Sequence, residues 1–464
     1  MLKNYFRTAL RNLRNNKGFS LINIIGLALG LACSLLILLW VQDERRMDAF
    51  HANGKSLFYV YERAILGGKT EAFYWTQGPL AQQLKKEFPE IRQATPFSWS
   101  GVNTFSVGDK AIKEDGISAD SDFFTMFSYP MLEGNAKDAL GSPVSISISH
   151  KMANDFFGSP AAAIGKPLRY ENNKDFTVTA VFEDLPSNAS EKFNFVINWT
   201  AYVQDNAWAK DWNSTDPRTC ILLRPDADPV KVEKKIAHYL NKFSTELKDG
   251  IPTLALQRFD QRYLYSDFKN GVPAGGRIQY VRLFSLVALF ILLIACINFM
   301  NLTTARSVKR SKEIGIRKVV GAFRGLLIRQ FIGEAVGLTL LSTLLALFLV
   351  SLVLPLFNQL TGKAILLPYN HFAFWMSIAA LTFFTGIFSG SYPAFFLSAL
   401  NPVTVFKGTW RPGSGSALFR KGLVVFQFVL SIVLIISTIL ITRQVRFMQT
   451  ANLGYDRENL LYIP

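Results

Sequence analysis

Hydrophobic and polar positions sort this chain into two textures. Five runs of roughly twenty apolar residues, at 19–41, 281–302, 331–354, 372–396 and 423–441, each have the length that a helix needs to cross a bilayer. Between the first and the second, residues 43–280 alternate instead. LFYVYE at 57–62, VSISIS at 144–149, FTVTAVF at 176–182 and FNFVINW at 193–199 carry the patterns that mark strands. Leu80, Leu84 and Phe88 recur every fourth residue, while Val232, Ile236, Leu240, Phe243 and Leu247 predict a longer amphipathic helix after Asp228-Pro229. Gly26 and Gly30 place two small residues on one face of the first run and predict a close helix neighbour there.

Composition changes this picture little, but charge orients it. Half of the 464 residues are hydrophobic and Phe alone supplies 39, which soluble domains rarely match. Residues 1–18 hold five basic side chains and no acid, 306–329 hold eight basic and one acidic, and 398–421 hold four basic and none. Together these three segments carry a net +16, the formal charge of the whole chain, so the rest is neutral in sum. By the positive-inside rule all three face the cytoplasm, which puts the N-terminus inside, the C-terminus outside after five crossings, and 43–280 outside. Residues 1–18, with Leu2, Phe6, Leu10 and Leu13 on one face and Arg7, Arg11 and Arg14 on another, read as an amphipathic helix on membrane lipid. The first run is too long for a signal-peptide core and ends in WVQDERR without a small-residue cleavage site, so it is expected to be retained as a span. The predicted fold class is a membrane protein: an α-helical transmembrane bundle of five spans with a large α+β extracytoplasmic domain inserted between spans 1 and 2. A pI near 9.6 would otherwise point to nucleic acid. Here the excess charge lies beside spans, where anionic lipid supplies the counter-charge, so no nucleic-acid partner is expected.

No catalytic, cofactor or metal constellation stands out. His51, His150, His238 and His371 share no metal-ligand spacing. Asp120 with Asp122, Glu183 with Asp184, and Asp226 with Asp228 read as turn residues. Gly67-Gly68-Lys69-Thr70 ends like a phosphate loop, but the glycine such a loop needs five residues before Gly68 is Arg63. Cys33 and Cys296 fall inside spans, which leaves Cys220 alone in the extracytoplasmic part without a disulfide framework.

The candidate site is therefore a binding surface, in the loop 306–329. Ile316, Val319 with Val320, Phe323, and Leu326 with Leu327 fall at helical spacing, and Arg317, Lys318 and Arg324 take other positions on the wheel. Such a segment is either a basic anchor on anionic lipid or a docking helix for a cytosolic partner. Glu334, one turn inside the following span, is read as pairing with Arg329 or Arg306.

INFMNLTTARSVKRSKEIGIRKVVGA at 297–322 closely resembles the signature of MacB/FtsX-type ABC transporter permeases. FFTMFSYPMLEGNAKDAL at 123–140, SISISHKMANDFFG at 145–158, IGKPLRY at 164–170 and FTVTAVFEDLPSNASEKFNF at 176–195 look like the MacB-like periplasmic core domain of that family. Tyr392-Pro393-Ala394 and Asn401-Pro402-Val403 are similar to the pattern that ends its fourth span. The resemblance runs along essentially the whole chain. It implies a MacB-like core domain at 43–280, an FtsX-like permease domain at 281–397 and a cytoplasmic loop at 398–421.

The resemblance also implies a role for the loop. In the family a short helix between the second and third spans rests on the ATPase subunit, which here assigns coupling to a helix at 312–323, carried by Glu313, Ile314, Gly315, Ile316, Arg317, Lys318, Val319 and Gly321. Gly321 within a helix would mean close approach of another backbone. Having no nucleotide-binding motif, the chain is expected to be no enzyme, to bind no cofactor, and to need a separate cytoplasmic ABC ATPase. The run 423–441 followed by 443–464 resembles the start of a second span-plus-core unit, so the chain is expected to be the first half of a duplicated eight-span permease, working as a dimer or as a pseudo-dimer within a longer chain. The expected function is export of an antibiotic, peptide, lipid or lipoprotein across the bacterial cytoplasmic membrane, with an envelope or outer-membrane partner. The alternative is an FtsX-like regulator of an envelope protein such as a cell-wall hydrolase, which moves no substrate. A third class, a membrane-bound sensor with no ATPase, would leave the 312–323 helix unexplained.

Overall fold

Hydrocarbon offers no partner to a backbone amide, so each apolar run satisfies its own N–H and C=O groups as a helix. The five helices are Lys17–Arg45, Arg277–Ala305, Arg324–Thr361, Phe372–Ser398 and Ser414–Thr450, and each is long and apolar enough to cross a membrane. All overrun the apolar runs that announced them, the third by a turn or more at each end, because hydropathy marks where lipid is met and not where backbone bonding stops. The computed structural model describes residues 17–243, 251–305, 307–399 and 414–451. The amphipathic helix expected at 1–18 therefore lies almost wholly outside the described residues, as does Asn401-Pro402-Val403.

Two units divide the chain, Val41–Leu283 and the remainder. The second holds the membrane helices, packed through small residues as the expected pair of glycines foretold. A Cβ at Gly30 would stand 2.4 Å from Ala295 Cβ, and one at Gly26 would stand 3.4 Å from Asn298 Nδ2, so the neighbour is the Arg277–Ala305 helix. Gly386 and Gly390 admit Val336 and Ala335 of the Arg324–Thr361 helix just as closely, at 2.8 and 2.6 Å. Between those same helices the hydroxyls of Thr343 and Thr382 meet at 3.0 Å. Close backbones and interhelical hydroxyl bonds are what join helices where lipid is as apolar as Leu.

Val41–Leu283 is α+β. Its main sheet has thirteen strands: β1 (Leu57–Leu66), β2 (Lys69–Phe73), β3 (Trp75–Gln77), β4 (Ile91–Phe97), β5 (Gly101–Val107), β6 (Lys110–Ala119), β7 (Met131–Glu133), β8 (Ser145–Ser149), β9 (Pro167–Tyr170), β10 (Lys174–Phe182), β11 (Phe195–Asn198), β12 (Thr215–Leu223) and β13 (Thr253–Arg258). Six of them close a ring, β11-β8-β10-β9-β5-β6, sealed by the parallel pairing of Phe195–Asn198 with Gly116–Ala119. From β6 the sheet continues through β4, β12, β1 and β13 as an open antiparallel layer. A separate hairpin, β14 (Asp267–Lys269) and β15 (Val272–Gly275), precedes the helix at Arg277.

Period two along β1 serves two cores at once. Phe58 and Val60 meet Leu80, Leu84, Val232 and Ile236 of the helices Leu80–Glu87 and Pro229–Ile236, while Leu57 and Tyr59 turn into an aromatic core with Phe97, Phe123, Phe127 and Phe259. SISIS at 145–149 is also buried on both faces, while Val144 before it is exposed. Its serines bond locally: Ser147 Oγ donates to Ala139 O at 2.9 Å, and Ser149 Oγ accepts from Met152 N to cap the next helix.

Three local expectations shift. FNFVINW is a strand only over Phe195–Asn198, because Asn198 Oδ1 accepts from Thr200 N at 2.7 Å and starts the helix Trp199–Asp205. The helix expected through 247 stops at Ile236, where Leu254 N of β13 takes the carbonyl of Ala237. A short 3-10 turn, Tyr239–Lys242, follows. Gly67 and Gly68, both at positive φ, make the β1–β2 hairpin turn, which accounts for the glycine pair without phosphate.

Two outcomes follow from this packing. A Cβ at Gly116 would lie 2.4 Å from the ring of Phe195, which is buried inside the closed strands, so Gly116→Ala should cost about 1–3 kcal/mol and lower the Tm of the full chain in detergent. An unchanged Tm would mean that Phe195 has room to turn. Glu62, buried on β1 with only Gln77 Nε2 donating to it at 2.7 Å, is pushed by desolvation from 4.5 to about 7. A raised acid favours folding below its unfolded value and loses that contribution as pH rises through 7, so Glu62→Gln should flatten the fall in stability between those values. Above pH 7 it should exceed the parent by about 1–3 kcal/mol in chemical denaturation. Parallel pH profiles for the two proteins would refute the assignment.

Candidate functional site

The loop between the second and third membrane helices is built by one turn. A helix runs Ser307–Val319 and ends in a Schellman motif: Ala322 N donates to Arg317 O at 2.9 Å, Gly321 N donates to Lys318 O at 3.1 Å, and Gly321 sits at φ +103. The helix expected over 312–323 is thus displaced toward the N-terminus, and Gly321 lies beyond its end. Apolar spacing continued through Phe323 and Leu327 only because the chain re-enters a helix at Arg324, with Phe323 at its N-cap position. Among the described residues nothing comes within 4 Å of where a Cβ at Gly321 would sit, so its positive φ is the reason for glycine there.

The eight expected site residues divide by what they face. Ile314, 2% exposed, packs among Leu327, Phe331, Ala394 and Leu397, rooting the short helix on the ends of the third and fourth membrane helices. Gly315 is buried beside it. Glu313 accepts from Arg317 Nη2 at 2.6 Å, Arg317 Nη1 donates to Gln330 Oε1 at 2.9 Å, and Gln330 Nε2 donates to Glu334 Oε1 at 3.1 Å. This polar chain braces the helix against the next one and gives Glu334 the amide of Gln330; Arg306 lies outside the described residues. Ile316 and Val319 are 54% and 68% exposed, and Val320, Phe323 and Leu326 are exposed as well. Lys318 has its ammonium held below the usual range by partial burial and by Arg324 nearby. Arg324 Nε in turn donates to Ser398 Oγ at 3.4 Å.

Residue spacing missed the seat. Ala394 and Leu397 are far along the chain from Ile314, and the only sequence signal for them is that Ala394 closes the Tyr392-Pro393-Ala394 motif. Spacing grouped Val320, Phe323 and Leu326 with Ile316 and Val319, and these are exposed, but it also grouped Leu327, which is buried against Ile314.

This arrangement offers apolar and charged side chains for binding. Among the described residues no three His, Cys, Asp or Glu side chains gather as a metal site. The paired carboxylates serve the backbone: Asp184 Oδ1 accepts from Lys151 N at 2.8 Å, and Asp228 Oδ1 accepts from Val230 N at 3.0 Å.

Two family models match the chain, a MacB-like periplasmic core domain over residues 20–239 and an FtsX-like permease C-terminal domain over residues 285–402. The pyoverdine export ATP-binding/permease protein PvdT of Pseudomonas syringae pv. syringae is 25% identical over 417 residues, which cover 86% of this chain and 58% of that protein. The macrolide export ATP-binding/permease protein MacB of Salmonella typhimurium is 23% identical over 407 residues, covering 84% and 58%. An uncharacterized ABC transporter permease of Bacillus subtilis, YvrN, is 22% identical over 419 residues, covering 86% and 98%. The chain thus spans 58% of the length of the two named exporters.

Alanine at 321 would have to adopt a backbone conformation that L-residues avoid. Gly321→Ala should open the helix end and speed exchange of the Ala322 amide about tenfold, equivalent to about 1.4 kcal/mol, with the membrane helices unaffected. Unaltered exchange would mean that the turn does not depend on glycine.

Proposed function

The chain belongs to the permeases that join a MacB-like periplasmic core domain to an FtsX-like permease domain, and on that premise we propose that it is the permease subunit of an ABC exporter driven by a separate ATPase. The observation that carries the proposal is the exposed apolar row Ile316, Val319, Val320, Phe323 and Leu326, set beside Arg317, Lys318 and Arg324 and rooted by Ile314. Large apolar side chains exposed together in one short segment, interleaved with charge, fit a protein partner. Positive-inside sorting supports a cytoplasmic position for it, a cytoplasmic N-terminus, and an extracytoplasmic position for Val41–Leu283.

The mechanism follows from the rooting. When the ATPase closes on ATP it presses the exposed row, and because Ile314 is packed among Leu327, Phe331, Ala394 and Leu397, the push reaches the third and fourth membrane helices. Glu313, Arg317, Gln330 and Glu334 keep the short helix from rolling instead of pushing. The apolar spans, with few ionisable groups at depth, suit conduction of movement better than passage of a polar solute. Work is then done by the extracytoplasmic domain, on an antibiotic, peptide, lipid or lipoprotein. Relatives named for pyoverdine and macrolide export support export over regulation of an envelope enzyme. Two such permease units, in a dimer or within one longer chain, would match the two subunits of a closing ATPase.

Changing Ile316 and Val319 together to Asp removes two anchors worth about 1.5–3 kcal/mol each, so the ATPase should bind at least about a hundredfold more weakly. Pull-down from detergent-solubilised membranes with mass spectrometry would show an ATPase with the parent and none with the variant, at equal membrane levels. An ATPase retained by the variant would refute docking on this row. Recovery of a cell-wall hydrolase in place of exported cargo would turn the reading to the regulator.

A further inference from the structure

Within Val41–Leu283 one carboxylate gathers three separate segments. Glu191 Oε1 accepts from Arg218 Nη1 at 2.5 Å, from Arg262 Nη1 at 2.7 Å and from Tyr59 OH at 3.3 Å. Arg218 belongs to the central strand β12 and is 1% exposed; its guanidinium lies over Phe97 and Trp99 at 4.3 and 4.4 Å, and Nη2 donates to Ser98 O at 2.9 Å. Arg262 ends the short helix Phe259–Arg262, lies over Tyr59 and Tyr74 at 4.6 and 4.9 Å, and donates to Tyr59 OH at 3.0 Å. Burial opposes the charge of Glu191, but the two guanidiniums outweigh it and hold the carboxyl below its usual range.

The neighbours of these residues hold the two stretches by which the chain enters and leaves this unit. Beside Glu191, Ser190 N donates to Asp48 Oδ1 at 2.8 Å, Asn188 O accepts from Asp48 N at 2.8 Å, and Asn188 Nδ2 donates to Arg46 O at 2.8 Å. These bonds seize the chain just after the Lys17–Arg45 helix, where Asp48 takes φ +59. Beside Arg262, Tyr263 OH donates to Glu44 Oε1 at 3.2 Å, and Arg277, which opens the next membrane helix, lies over the Tyr263 ring at 4.8 Å. Both stretches are therefore held beside this cluster, the first at residues 188 and 190, within three of Glu191, and the second at Tyr263, next to Arg262.

A largely buried carboxylate between two guanidiniums is no better for stability than well-packed apolar side chains, since removing charges from water offsets most of their attraction. Its distinguishing property is direction. Parting the charges in a low dielectric is expensive, and the planar guanidiniums fix angle as well as distance. We propose that Glu191 is a mechanical joint, through which movement of the stretches around 44–48 and 259–263 is passed to the central strands of the extracytoplasmic unit. Use of the joint by ATP rests on the transporter reading; the existence of the joint does not.

The test is a distance distribution between spin labels at Ala49→Cys and Lys234→Cys, with the three native cysteines replaced, in the full chain in lipid nanodiscs. The parent should give a narrow distribution. Arg262→Lys keeps the charge and loses the planar fork, Glu191→Gln keeps the shape and loses the charge, and both should broaden it at a temperature where each protein is still folded by circular dichroism. A lower Tm with an unchanged distribution in the folded state would overturn the joint, since mere stabilisation does that; Arg262→Lys alone decides if Glu191→Gln does not fold. With the co-purifying ATPase and ATP, amide exchange across 186–192 should change in the parent and not in Arg262→Lys. No change in the parent would overturn the transporter reading while leaving the label result to stand, and an equal change in both would overturn transmission through Glu191.

Discussion

A peptide group in hydrocarbon has no solvent to bond, and the membrane half of this chain is the consequence. Helices are the only form the apolar runs can take. Once they are helices, nothing hydrophobic drives them together, so they pack where side chains are small enough for backbones to approach and hydroxyls to meet. Gly30 against Ala295, Gly386 and Gly390 against the Arg324–Thr361 helix, and Thr343 against Thr382 are the contacts that this leaves. The third and fourth membrane helices, joined along such a seam, form the footing for the short helix that precedes them.

That short helix divides its side chains between a buried root and an exposed row. An amphipathic segment next to a membrane ordinarily buries its apolar face in its own protein or in lipid. Here, among the helix's described apolar side chains, Ile314 is buried, Glu313 and Arg317 brace the helix by ionic and amide contacts, and Ile316 and Val319 are left outside. The Schellman turn at Gly321 then redirects the chain and adds Val320 and Phe323 to the same exposed row. Stiffness in the root and exposure in the row are separate properties, supplied by different residues.

The unit Val41–Leu283 solves a different problem, how to keep a large sheet with few free edges in one shape. Six strands abolish their edges by closing, which requires that β11 lie parallel to β6 and that position 116 carry no side chain. The open layer buries both faces, one under helices and one in aromatic rings. Its buried polar groups include Glu62, Thr76 and Thr219, and beside them Glu191 joins Arg218, Arg262 and Tyr59.

Local pattern determined much of this by itself. The number and positions of the apolar runs, the strand texture of 43–280, the small-residue face of the first span and the basic loop at 306–329 all follow from the side-chain periods that helices and strands impose on burial. Family resemblance placed a short helix at 312–323, where the structure has one at Ser307–Val319. Periodicity could not see where that helix stops, because a glycine at positive φ breaks the backbone without breaking the spacing of apolar residues. Nor could it separate Ile314 from Ile316, two identical side chains whose difference is Ala394 and Leu397, some eighty residues away. The ring closure at Phe195 and Gly116 and the meeting of Glu191 with Arg218, Arg262 and Tyr59 are of the same kind. Each joins residues remote in sequence, so only the tertiary structure, which sets what lies across from what, decided them.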